Sequence, residues 1–235
     1  MKRIVFFCFM VASATMAWAQ SYLGVEVGYA QTITRLNSPI QGKETTLNPK
    51  AYNGFKVGVV YDASLVKGFG VRLGLNYTMG GYNTDWTQKN EAIKYPQVRT
   101  TGWYHQLEIP VDWQYKVTMA KNTYFILYSG PCLQYGLSLK DNKYENNGKE
   151  IVLLNQSNRY SKENMRDHAL KQLNVTWGVG AGLQYERYFV RGGYDFGLIN
   201  PYKALVFDVS DDYRPYTRGR FDQWQVKIGM YLWEF

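Results

Sequence analysis

The chain has 235 residues, of which 46% are hydrophobic, 20% charged and 17% aromatic, and its mean hydropathy is -0.38. This composition is too apolar for a disordered chain and too polar for a bundle of membrane helices. The formal net charge is +8, but the basic residues are scattered among acidic ones, which argues against nucleic acid as a partner.

Residues 1–19 have the pattern of a secretion signal. Lys2 and Arg3 form a positive start, an apolar run follows, and small residues flank a cleavage point after Ala19. Cleavage there removes Cys8, and the single cysteine that is left cannot form an internal disulfide. We therefore expect residues 20–235 to be an exported domain.

After the signal, apolar residues occur at every other position. This period of two is typical of β-strands whose two faces meet different surroundings. Most of the segments are long enough to cross a bilayer as tilted strands. The pattern predicts eight strands, over residues 22–33, 54–61, 69–79, 104–115, 123–139, 173–185, 189–199 and 221–235.

The two faces of the predicted strands differ in charge. No charged residue lies on the apolar face, whereas the opposite face carries four acids and four bases: Glu26, Lys56, Arg72, Glu108, Asp112, Arg191, Asp195 and Lys227. In a soluble barrel of lipocalin type the charged face would meet water. In an outer-membrane barrel it would line the lumen, and the apolar face would meet lipid. The alternation alone is compatible with both.

Three further features favour the membrane barrel. Aromatic residues concentrate near the strand ends, as in the girdles at membrane interfaces, and glycines share the charged face, where they leave room for long side chains. The connections are alternately long (34–53, 80–103, 140–172, 200–220) and short (62–68, 116–122, 186–188). The sequence thus predicts an all-β, eight-stranded, antiparallel up-and-down transmembrane β-barrel in the bacterial outer membrane, with both termini in the periplasm.

The balanced charges of the predicted lumen indicate mutual pairing, because an unpaired buried charge is costly. Glu108 and Asp112 are expected to pair with Arg72, Lys56 or Arg191. Eight strands enclose a lumen that side chains can fill, whereas an open channel usually needs about 16. We expect a salt-bridged plug, with a small-solute porin as the alternative.

One short motif adds a family resemblance. Leu107-Glu108-Ile109-Pro110-Val111, with residues 178–185 and 194–200 and the terminal Phe235, resembles the LEIPL box and its context in small Bacteroidetes-type outer-membrane barrels, called porin-like or PorT-type. The resemblance implies an outer-membrane barrel without a defined substrate, in a family where some members are tied to secretion machinery. The terminal phenylalanine resembles the signal read by the barrel-assembly machinery.

Two residues of this motif context predict local irregularities. Pro110 lacks the N–H that a ladder needs, which indicates a bulge or a broken pairing. Phe235 is out of phase with the even-numbered apolar residues of the last strand. A β-bulge near the end of that strand would restore its outward direction.

The sequence contains no recognisable catalytic, cofactor or metal motif. Asp167 and His168, with Ser157 or Ser161, are the residues that an enzyme at the rim would use, and we expect them to be solvated loop residues. Cys132 is expected to fill space in the lumen. The protein is therefore predicted not to be an enzyme and to need no cofactor.

The long connections are the expected places for function. Arg214, Arg218 and Arg220 are candidates for contact with lipopolysaccharide phosphate, a glycan or a partner protein. The sequence predicts an outer-membrane barrel with a structural or interaction role, whose partners are outer-membrane lipid and lipopolysaccharide, the assembly machinery and a secretion-system or surface protein. A soluble lipocalin-like ligand-binding barrel and a small-solute porin are the alternatives.

Overall fold

The computed structural model describes residues 20–40, 43–66, 68–83, 98–145, 170–201 and 218–235. They form eight strands: β1 (Gln20–Ile40), β2 (Lys43–Val66), β3 (Phe69–Asn83), β4 (Val98–Ala120), β5 (Thr123–Glu145), β6 (Leu173–Tyr185), β7 (Tyr188–Gly197) and β8 (Arg218–Glu234). Each strand pairs antiparallel with the next, and β1 pairs with β8. The predicted eight-stranded barrel is confirmed. The described residues contain no helix long and apolar enough to cross a membrane.

Several strands extend beyond the predicted segments at one end of the barrel. β1 runs to Ile40 and β2 begins at Lys43, so the expected 20-residue connection at 34–53 is wrong. β4 begins at Val98 and β5 ends at Glu145, several residues outside their predicted bounds. Backbone pairing between β1 and β2 continues here as far as Ile40 and Lys43, with one register shift between Thr34 and Leu36. The alternation of apolar and polar residues identifies only the part of a strand whose two faces meet different surroundings.

The two ends of the barrel differ in their connections. Two residues join β2 to β3, β4 to β5 and β6 to β7 at one end, which we call the short-turn rim. Both ends of the barrel chain meet there, since Ser21 and Phe235 exchange backbone hydrogen bonds of 3.2 and 2.8 Å. The β1–β2 connection, also of two residues, and the longer connections β3–β4, β5–β6 and β7–β8 begin and end at the opposite long-loop rim.

The last strand contains the predicted β-bulge. Leu23 pairs with Trp233 and Gly24 pairs with Tyr231, so Leu232 is the extra residue in β8. The bulge changes the parity of the strand, and Phe235 consequently lies on the exposed side.

The ladder between β3 and β4 is interrupted beside Pro110. Leu73 pairs with Val111 and Asn76 pairs with Glu108, while the two positions between them are unpaired within these two strands. This is the locally broken pairing that a proline without an N–H predicts. Glycine is required opposite, because a Cβ at Gly74 would lie 2.8 Å from Cγ of Pro110.

The apolar face of the sheet lies on the outside of the barrel. Val57 and Ile109 are 42% and 44% exposed, whereas Arg72 is 2% exposed. The soluble lipocalin-like alternative requires the reverse arrangement and is therefore wrong. The narrow interior has room for the long charged side chains because glycines lie beside them on the same face.

Candidate functional site

Charged side chains occupy the interior along the whole barrel axis. The eight charged residues selected from the sequence are all buried there: Glu26, Lys56, Arg72, Glu108, Asp112, Arg191, Asp195 and Lys227. They form separate groups at different heights between the two rims.

The first group surrounds Lys56. Its Nζ donates to Oε2 of Glu108 at 2.5 Å and to the side-chain oxygens of Gln223 and Gln225 at 2.9 and 2.7 Å. Oε1 of Glu108 accepts a hydrogen bond from Thr78 at 2.8 Å. The three donors of the ammonium group are thus matched by three acceptors, and its charge is neutralised by the carboxylate.

Glu26 holds two cations in the middle of the barrel. It forms ion pairs with Arg72 and with Lys227, whose Nζ lies 3.1 Å from Oε1 of Glu26. The Arg72 guanidinium also lies over the ring of Phe189, with Cζ 4.3 Å from the ring centroid. The aromatic face adds a favourable contact for this buried cation.

Asp112 and Arg191 form the second ion pair at mid-height. Nη2 of Arg191 lies 3.2 Å from Oδ2 of Asp112, and Cζ lies 4.0 Å from the ring centroid of Tyr128. The expectation that Glu108 and Asp112 pair with bases among Arg72, Lys56 and Arg191 agrees with these contacts. Sequence reasoning did not identify which base each acid contacts.

Asp62 and Lys116 form a further ion pair close to the short-turn rim, which sequence reasoning missed. Nζ of Lys116 lies 3.2 Å from Oδ2 of Asp62, and Asp62 also accepts hydrogen bonds from Gln114 at 2.6 Å and from Tyr231. Both charged residues share the inward parity of their strands. They lie one position beyond the predicted segments, so a one-residue extension would have found them.

Asp195 differs from the other interior acids. Gln225 donates to it at 2.9 Å, and no Lys or Arg nitrogen lies within 4.0 Å of it among the described residues. A cavity of about 10 Å³ adjoins it and is lined also by Asn76 and Pro110. That volume is close to the minimum for one water molecule. The ionic interior is therefore nearly filled at this height.

Apolar side chains close the interior towards each rim. At the long-loop rim the cluster consists of Tyr52, Tyr82, Tyr104, Leu139, Leu170 and Phe221. At the short-turn rim Val60, Phe189 and Tyr231 form a smaller cluster, with Tyr22 packed against it. The other charged groups lie between these two clusters, whereas Asp62 and Lys116 pack against the short-turn cluster, where Tyr231 donates to Asp62 and Lys116 lies over the Tyr231 ring.

The arginines selected as loop contacts fall in different places. Arg214 lies outside the described residues, and Arg218 is the first residue of β8. Nε of Arg220 forms an ion pair of 3.1 Å with Oδ2 of Asp222. Nε of Arg35, which sequence reasoning did not select, lies 2.7 Å from the same oxygen.

The residues considered for catalysis belong to the connection between β5 and β6. Ser157, Ser161, Asp167 and His168 lie outside the described residues. Cys132 is buried and free, and the described residues contain no group of three or more His, Cys, Asp or Glu side chains that could hold a metal ion.

Residues 18–202 match the family described as outer membrane protein beta-barrel domain. This region includes seven of the eight strands, β1 to β7. The chain belongs to this family. As an outer membrane protein beta-barrel domain, it is a protein of the bacterial outer membrane, and its exposed apolar face is the surface that meets lipid.

Three solved structures show a weak similarity to the chain. Ail, the attachment invasion locus protein of Yersinia pestis, in complex with the heparin analogue sucrose octasulfate, is 13% identical over 91% of this chain and 99% of its own, with a TM-score of 0.38. Neisserial surface protein A is 11% identical over 88% of this chain and 97% of its own, with a TM-score of 0.37. LpxR from Salmonella typhimurium is 8% identical over 90% of this chain and 100% of its own, with a TM-score of 0.33. No curated protein matches the chain.

Proposed function

We propose that this protein is a closed, non-enzymatic outer-membrane barrel that holds its long connections at the cell surface for contact with a partner molecule. The observation that carries the proposal is the ionic filling of the interior. Five acids and five bases lie along the axis: Glu26, Asp62, Glu108, Asp112, Asp195, Lys56, Arg72, Lys116, Arg191 and Lys227. Equal numbers of opposite charges give the interior no net charge with which to select cations or anions.

The proposed partners lie on the two sides of the membrane. Outer-membrane lipid, lipopolysaccharide and a surface or secretion-system protein would meet the long-loop rim. The barrel-assembly machinery would read the chain end at Phe235 during insertion. The likeness of residues 107–111 to the LEIPL box supports a narrower, PorT-type membership, and this membership is the basis for proposing a secretion partner.

Conductance of the purified protein in a planar bilayer tests the closed interior. We expect no stable channel from the native protein. The variant Asp112→Ala/Arg191→Ala removes one complete ion pair at mid-height without changing the net charge, and it should admit small ions. A folded native barrel that conducts as strongly as this variant would instead support the small-solute porin.

Cysteine labelling tests the proposed orientation. In a Cys132→Ser background, a cysteine at Lys171 (Lys171→Cys) lies at the long-loop rim, and one at Arg187 (Arg187→Cys) lies at the short-turn rim; both side chains are exposed. A membrane-impermeant maleimide added to intact cells should label the first variant and spare the second. Labelling of Arg187→Cys alone would reverse the orientation.

A further inference from the structure

The outer wall at the long-loop rim carries a pair of arginines held by one carboxylate. Arg35 on β1 lies directly opposite Arg220 on β8. Their Nε atoms lie 2.7 and 3.1 Å from the same oxygen, Oδ2 of Asp222. We call these three residues the rim arginine site.

The carboxylate of this site is fixed. Asp222 is fully buried, and its second oxygen, Oδ1, accepts a hydrogen bond of 3.1 Å from the backbone N–H of Gly197. Arg35 reaches this carboxylate from β1, and Arg220 lies on β8 with Asp222. These contacts come from β1, β7 and β8, so three strands hold the two guanidinium groups in place.

The site has a surplus of positive charge. Two like charges placed directly opposite each other on a sheet repel, and one carboxylate neutralises only one of them. Each arginine uses Nε for the carboxylate, while about half of its side chain is exposed, 47% for Arg35 and 49% for Arg220. The terminal nitrogens of a guanidinium bonded in this way suit the oxygens of a phosphate group.

The height of the site points to the membrane interface. Trp224 lies on the same face of β8, four residues closer to the middle of the membrane wall, and donates from Nε1 to Oε1 of Gln31 at 2.7 Å. Its ring lies 5.2 Å from that of Tyr29. Aromatic side chains with polar tips are typical of the boundary between hydrocarbon and headgroups. The arginines are therefore placed at the level of lipid headgroups.

We propose that the rim arginine site binds a phosphate group of an outer-leaflet glycolipid of the lipid A type. The inference rests on the proposed function, because it requires the long-loop rim to face the cell exterior. It adds a defined contact to that function, with Arg35 and Arg220 as ligands of the phosphate and Asp222 as the positioning residue.

Binding of lipid A to the purified protein in detergent, followed by native mass spectrometry, tests the site. We expect Arg35→Gln/Arg220→Gln to bind phosphorylated lipid A at least about 10-fold more weakly than the native protein. The control Lys121→Gln/Arg187→Gln removes two exposed charges from the opposite rim and should stay within about twofold. Equal loss in both double variants, or no loss in the first, overturns the proposal.

Two further probes separate the phosphate from other sources of affinity. Lipid A without its phosphates should bind the native protein as weakly as intact lipid A binds the Arg35→Gln/Arg220→Gln variant. Inorganic phosphate should compete only weakly, because it lacks the acyl chains that meet the apolar wall. Inorganic phosphate that binds as tightly as lipid A would make this a free-anion site and contradict the proposal.

The variant Asp222→Asn separates positioning from charge. It makes the site more positive, so general attraction of anions would rise, whereas loss of the fixed carboxylate should weaken lipid A binding several-fold. Tighter binding in this variant overturns the role of Asp222. Gel mobility with and without heating checks that each barrel is folded, and if Asp222→Asn does not fold, the double glutamine variant decides.

These results are distinguishable from failure of the proposed function. A native barrel that is closed in a planar bilayer but binds lipid A equally well in both double variants contradicts the rim arginine site alone. A native barrel that conducts ions and retains the site-dependent binding contradicts the closed interior alone.

Discussion

Arginine–carboxylate pairs occur in two regions of this barrel, and the regions use them differently. In the interior Arg191 is fully buried and paired with Asp112, with an aromatic ring covering the guanidinium. At the long-loop rim Arg35 and Arg220 share Asp222 and remain half exposed. The interior pair is enclosed and stabilises the barrel, whereas the rim pair carries surplus charge on two half-exposed guanidinium groups. Enclosure and charge balance, more than residue type, separate the two roles.

Among the substitutions that test this comparison, removal of one residue of an interior ion pair should lower the free energy of unfolding most. Glu108→Leu leaves the Lys56 ammonium buried without its carboxylate, which we expect to cost about 3–5 kcal/mol of unfolding free energy. Urea unfolding in lipid vesicles measures the change. The double variant Lys56→Met/Glu108→Leu should recover most of this loss, because a neutral apolar pair has no uncompensated charge. A double variant as unstable as the single one would show that the ion pair is not the source of the cost.

The next largest difference in stability is expected between alanine substitutions at two glycines of the barrel wall. A Cβ at Gly130 would lie 1.9 Å from the carbonyl oxygen of Val111, so Gly130→Ala should destabilise the barrel by about 1–3 kcal/mol through overpacking. Gly192 faces outwards, and a Cβ there would meet its nearest atom, the carbonyl oxygen of Gln225, at 3.8 Å. Gly192→Ala is therefore the matched control, with a change within about 0.5 kcal/mol. Equal urea midpoints for the two variants would contradict the close approach at Gly130.

The number and order of the strands were predictable because lipid and the charged interior impose opposite chemistry on alternate residues. The bulge at Leu232 followed from the phase of Phe235, and the broken ladder followed from Pro110. The extension of β1 to Ile40 was not predictable, because apolar and polar residues no longer alternate regularly after Ile33.

The candidate sites were predictable to different degrees. Inward parity identifies charged residues in the lumen but cannot identify which acid contacts which base, since that depends on contacts across the barrel between distant strands. Arg35 and Asp222 were missed for a related reason. They become neighbours only when β1 closes the barrel against β8, and this contact joins opposite ends of the chain.

The smallest effect on stability is expected at the rim. Arg220→Gln removes one of two cations from Asp222 and leaves the contact with Arg35, and an exposed ion pair contributes about 0–1 kcal/mol. The urea midpoint should therefore stay close to that of the native protein, and removal of the like charge opposite Arg35 should offset part of any loss. The same substitution should nevertheless weaken lipid A binding, because a phosphate would lose one of its two guanidinium ligands. A large loss of stability with unchanged lipid binding would assign Arg220 to the barrel framework, like Arg191, and would remove the distinction between the two regions.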